Sequence, residues 1–132
     1  VGIITEGMRK AYAAWVAASV LLLALLAWVS LMPGADVPGP ANLDKLEHFS
    51  AYTLLAMWFC GLVARERYWQ AAAGLAAFGV LMEVFQQAMQ LGRQADVLDV
   101  VANVCGTAVG VALGAWRTGG WAPRVEAWLA QN

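Results

Sequence analysis

The sequence predicts an all-α, polytopic membrane protein: a four-transmembrane-helix bundle with both termini cytoplasmic and a short C-terminal interfacial helix. Three observations predict it. Of the 132 residues, 61% are hydrophobic and only 13% charged, about half the charged share of an ordinary soluble domain. The apolar residues come in runs long enough for a hydrocarbon core of roughly 30 Å at 1.5 Å per helical residue. The charges gather in short intervals between or at the ends of those runs.

The first span is an uncharged run over residues 11–32, closed by Pro33 and Gly34. Arg9 and Lys10 before it give it the look of a secretory signal. Its apolar run exceeds the usual 7 to 15 residues and no small-residue cleavage site follows, so it is expected to remain as a span. Residues 33–42 form a loop, because Pro38 and Pro40 lack the donor a helix needs and restrict the residue before them. The second span covers residues 46–63, starting near Asp44 and closing at Arg65, Glu66 and Arg67. The third covers 69–89 and the fourth 97–116, joined by a tight link in which Gly92 supplies backbone freedom. The tail, residues 117–132, mixes Trp121, Val125, Trp128 and Leu129 with Arg124 and Glu126 at helical spacing. It suits an interfacial helix, with a frayed terminus as the alternative. The whole chain, 1–132, has room for a single domain.

Orientation follows from basic residues. With the N-terminus inside, Arg9, Lys10, Arg65, Arg67, Arg117 and Arg124 are cytoplasmic and only Lys45 and Arg93 lie outside. The localisation expected is the bacterial inner membrane. A formal net charge of -1 and the lack of a basic run exclude a nucleic-acid partner. Cys60 and Cys105 sit in apolar runs with no CxxC pattern, so both read as packing residues. Trp28, Trp69, Trp116 and Trp121 fall near span ends as interfacial anchors.

Two stretches place polar groups where such a chain should refuse them: Asp44, Lys45, Glu47 and His48, and then Glu83, Gln86, Gln87, Arg93, Asp96, Asp99 and Asn103. An ionisable group in a span costs roughly 2.5 to 3.5 kcal/mol on insertion scales unless paired or hydrated. Because the spans alternate in direction, both stretches belong to the outer end, where span two starts, span three ends and span four starts. Asp44, His48 and Tyr52 are spaced i, i+4, i+8, and Asp96, Asp99 and Asn103 i, i+3, i+7, so each set lines one helix face. Asp96 alone reads as a helix cap. As a set the residues read either as a self-satisfying network that fixes helix register or as a functional site. In the second reading His48, Glu83 and Asp99 are the candidates for acid–base chemistry. Asp44, Lys45, Tyr52, Gln86, Arg93, Asp96 and Asn103 are then the candidate ligand contacts, with Lys45 and Arg93 suited to an anionic headgroup. A metal is conceivable from His48 plus carboxylates, but the spacing matches no strong metal motif, so neither a metal nor another cofactor is expected. Gly106, Gly110 and Gly114 make two overlapping GxxxG units for close helix packing, against span one or two rather than another subunit.

These residues resemble the VanZ-like family of small bacterial membrane proteins. The resemblance rests on Asp44-Lys45-x-x-His48-Phe49-x-x-Tyr52, on Glu83-x-x-Gln86, and on Arg93-x-x-Asp96-x-x-Asp99-x-x-x-Asn103-x-x-Gly106-x-x-x-Gly110. It spans most of the chain from Asp44 to Gly114. It implies a four-helix membrane protein of a family named for a teicoplanin-resistance member, with no settled reaction. The expected partners are membrane lipids, including an anionic headgroup or a lipid-linked wall precursor. The alternative is a non-catalytic accessory subunit of a larger membrane complex.

Overall fold

The structure, a computed structural model, describes residues 6–33, 43–90, 92 and 95–131, and the described residues are helical with short connections and no strand. The candidate ligand contact Arg93, its neighbour Gln94 and the expected loop from 34 to 42 lie outside them. Five α-helices follow in order: α1 Glu6–Leu31, α2 Leu43–Leu62, α3 Tyr68–Met89, α4 Val97–Leu113 and α5 Trp121–Leu129. A 3-10 turn at Arg65–Arg67 joins α2 to α3.

The chain divides into two units, 1–32 and 33–132. The first consists of α1, whose Lys10–Leu31 stretch is long and apolar enough to cross a membrane. Within it the Ser19 hydroxyl donates to the Trp15 carbonyl at 2.8 Å, satisfying a polar group locally. The second unit holds α2 to α5. Arg65–Met89 and Val97–Thr118 are also long and apolar enough to cross, giving three such segments among the described residues. Helix α2 falls outside that set, since its first two turns carry Asp44, Lys45, Glu47 and His48.

The core of the second unit lies where α2 packs along α4, with α3 against both. The glycines on α4 make this approach possible. A Cβ on Gly106 would collide with the Phe49 carbonyl, one on Gly110 with the Thr53 carbonyl, and one on Gly114 would come within 2.6 Å of the Cys60 Cβ. The pairs run in the same order along both helices, so α2 and α4 are parallel. Thr53 Oγ1 links the seam, donating toward the Phe49 carbonyl at 2.8 Å and the Gly106 carbonyl at 3.0 Å. Of the two spans offered for the glycine seam, α2 supplies the surface.

The far end of α2 is closed by aromatic residues. Tyr68 Oη donates to the Cys60 carbonyl at 3.0 Å, the Gly120 amide donates to the same carbonyl at 3.1 Å, and Trp121 Nε1 donates to the Trp58 carbonyl at 3.2 Å. The first two donors satisfy a carbonyl that the helix C-terminus leaves open. Helix α4 loosens just beforehand into a single π turn at Gly114–Thr118, with the Gly119 amide bonded to the Gly114 carbonyl at 2.8 Å. Gly120, at φ +65°, then turns the chain into α5.

Two expectations need correction here. Trp121 is not a free interfacial anchor: its ring packs on Gly61 and lies 4.7 Å, centroid to centroid, from Trp58. Cys60 is buried as expected, whereas Cys105 is exposed on the outer face of α4. Of the two readings of the tail, the helical one holds.

Candidate functional site

Because α2 and α4 run parallel and α3 returns against them, the α2 start, the α3 end and the α4 start share one corner. Each helix end there is shaped by local chemistry. Gln90 at φ 50° and Gly92 at φ 79° leave α3 through left-handed backbone, the conformation that commonly terminates a helix. Asp96 starts α4 as its N-cap, its Oδ1 accepting from the Leu98 amide at 2.8 Å. The link is tied back to α3: the Ala95 amide donates to Gln87 Oε1 at 3.2 Å and the Asp96 amide to Glu83 Oε2 at 3.1 Å.

Lys45 binds across to α4. Its Nζ donates to Asp96 Oδ2 at 2.5 Å and to Asp99 Oδ1, and lies 3.8 Å from Asp44 Oδ2. The ammonium is therefore shared among carboxylates. One turn further along α2, His48 Nδ1 lies 3.0 Å from Asn103 Oδ1. An amide oxygen only accepts, so Nδ1 is the donor. The opposite ring nitrogen, Nε2, faces Asp99 Oδ2 at 3.6 Å and Asp44 Oδ1 at 3.8 Å, beyond ordinary hydrogen-bond length. The donor atoms of Asp44, His48 and Asp99 all lie within 4.8 Å of one another.

Beneath this layer the site is closed. Tyr52, Glu83, Gln86, Asp99, Asn103 and Thr107 are buried, Asn103 at 2% exposure. Tyr52 and Asn103 meet over Gly79, where a Cβ would lie 3.0 Å from Asn103 Nδ2 and 3.2 Å from Tyr52 Oη. Glu83 Oε2 reaches across to the Asp96 amide at the start of α4. Its Oε1 is buried without a hydrogen-bond partner. Thr107 Oγ1 donates to the Asn103 carbonyl at 2.8 Å, fixing the turn that carries Asn103.

Asp96 lies at the rim, at the start of α4. The Lys45 hydrogen bond, and after it the Leu98 amide, favour its anion and hold its carboxyl below the usual carboxylate range.

Of the sequence-derived candidates, Asp44, Lys45, His48, Asp96 and Asp99 meet at the rim, and Tyr52, Glu83 and Asn103 extend inward from it. Gln86 is buried one turn beyond Glu83. Glu47 points outward and is exposed. Gly79 was not legible as a site residue: its role is the space it leaves for Tyr52 and Asn103, and its spacing from the polar residues carries no signal. His48 and Asn103 are partners across α2 and α4.

Comparison with protein-family models, with curated proteins and with solved structures finds no match to this chain.

Proposed function

We propose that this chain is a VanZ-like integral membrane protein of the bacterial inner membrane. In this reading it has four spans, including α2, both termini in the cytoplasm, and an outward-facing polar site that receives the head of an envelope lipid or lipid-linked wall precursor. The observation that carries it is the convergence of Lys45, His48, Glu83, Asp99 and Asn103 at one end of three otherwise apolar helices. Buried ionisable groups in such a setting mark functional sites by default. The outward faces support a lipid environment: Val80, Leu81, Val84 and Phe85 on α3 and Val97, Leu98, Val101 and Val104 on α4 are exposed large apolar residues.

Lys45 in this reading orders the acids rather than presenting a free cation, since Asp96 and Asp99 already accept from it. His48, its Nδ1 held by Asn103 Oδ1 and its Nε2 turned toward Asp99 and Asp44, is the candidate acid–base group beside a bound head when no ion occupies that corner. The proposed role is in envelope chemistry connected with glycopeptide resistance. Alanine at His48, Glu83, Arg93 or Asp99 should abolish the resistance phenotype while protein levels in the membrane stay near wild type. Four variants that fold and retain the phenotype would overturn the reading. Loss of folded protein in step with the phenotype would assign the cluster to structure instead. Mass analysis of lipid co-purifying with the full chain in mild detergent would identify the head class.

A further inference from the structure

We propose that Asp44, His48 and Asp99 form a binding site for a divalent metal ion of the zinc class. This goes beyond the lipid reading and does not depend on it. Three donor atoms converge: Asp44 Oδ1 and Asp99 Oδ2 lie 3.8 Å and 3.6 Å from His48 Nε2. Ligands at about 2.0 to 2.1 Å from a tetrahedral ion are separated by roughly 3.3 to 3.4 Å. The two His–Asp edges need a few tenths of an ångström of closure, and the Asp44–Asp99 pair, whose oxygens lie within 4.8 Å of one another, has to draw together as well. Asp44, at the more exposed end of the cluster, has room to make that movement.

The surroundings are those of a ligand set. His48 Nδ1 is committed to Asn103 Oδ1 at 3.0 Å, which leaves Nε2 of the neutral ring with its lone pair toward the two carboxylates. A ligating histidine is usually oriented in this manner by a hydrogen bond from its other ring nitrogen. Asp99 is likewise supported: Lys45 takes Oδ1 and leaves Oδ2 facing the ring. Nε2 thus faces two carboxylate oxygens at 3.6 and 3.8 Å, a separation that an ion between them would bridge.

A second observation is independent of these three residues. Glu83 is 4% exposed and its Oε1 has no hydrogen-bond partner. Its other oxygen is held by the Asp96 amide at the start of α4. A buried orphan acceptor beside a three-ligand set is a natural partner for a water on the ion, in the way that open zinc sites retain a water in the fourth position. The charge balance agrees. Among the described residues of this corner, Asp44, Asp96 and Asp99 share the single ammonium of Lys45. A divalent ion reduces that excess and gives an anionic lipid head a cation to meet.

The chain has one histidine, so a single imidazole reports on the site. The test uses the full chain, purified in detergent without a histidine tag and treated with chelator, with its imidazole nitrogens labelled for NMR. One equivalent of Zn2+ should shift Nε2 with saturation at a 1:1 ratio, and a hundredfold excess of Mg2+ should not reproduce it. Asp44→Asn, a conservative change at the more exposed ligand, should weaken Zn2+ by at least about tenfold, and His48→Gln should remove stoichiometric binding. An unchanged imidazole spectrum at one equivalent, or equal affinity in Asp44→Asn and wild type, overturns the proposal. Lipid retention is measured on the same chelated and zinc-loaded samples, so zinc binding without lipid sinks the lipid reading and leaves the metal site standing.

Discussion

Asp96 combines three duties in one residue. It caps α4 through the Leu98 amide, accepts from Lys45, and offers its own amide to Glu83. The first two bind its anion and hold its folded carboxyl below the usual range. In the unfolded chain those partners are gone and the group titrates at about 3.9. The folded value is the lower one, so this contribution is fully present above the unfolded value and disappears as pH falls through the folded value. Thermal unfolding in detergent between pH 6 and pH 2.5 should show an acid limb that Asp96→Asn makes shallower at its low end. An identical limb in the variant would mean that Asp96 is not selectively bound as its anion. Which partners His48 and Asn103 would take could not be read from spacing. Helical periodicity shows that each lies on a polar face; their meeting depends on how far α2 is slid along α4, and that offset is a property of the packed pair.

The offset is set by the glycine seam at the level of the elements. Gly106 and Gly110 lie against the backbone of Phe49 and Thr53, which cannot move aside as a flexible side chain would. Filling either space pushes α2 away from α4 and pulls Lys45 and His48 from Asp99 and Asn103 together. Gly106→Ala should therefore destabilise the chain by about 1 to 3 kcal/mol and disturb the polar corner. Gly74 on α3 provides the contrast, since a Cβ there meets nothing within 4 Å. Gly74→Ala should be neutral or stabilise by roughly 0.5 to 1 kcal/mol through helix propensity. Chemical denaturation in detergent measures both, and equal effects would remove the seam from its register-setting role. The overlapping GxxxG units were legible in the sequence because period four places them on one face. So were the long helices, whose apolar runs have one stable form in lipid. Trp121 escaped that logic. Proximity to a span end is shared by interfacial and packed tryptophans, and only the space over Gly61 distinguishes the two.

Across the second unit as a whole, the two ends of α2 are built from opposite materials: carboxylates, Lys45 and His48 at one end, and Tyr68, Trp58 and Trp121 with Arg65 and Arg67 nearby at the other. Basic residues favour the cytoplasmic side of short loops, so the arginine end is the one proposed to face inward and the carboxylate end outward. Helix α2 has to cross for that arrangement to hold, although its polar first turns weaken its apolar character. Its buried contacts with α4 offset this, since Lys45 and His48 meet polar partners there instead of lipid tails. Single cysteines at positions 95 and 66, both exposed, test the crossing in a Cys105→Ser background that keeps the buried Cys60. In intact spheroplasts a membrane-impermeant maleimide should label Ala95→Cys and spare Glu66→Cys until the membrane is opened. Labelling of both positions at the same rate would place the two ends of α2 on one side, and the outward-facing site could not then be assembled as proposed.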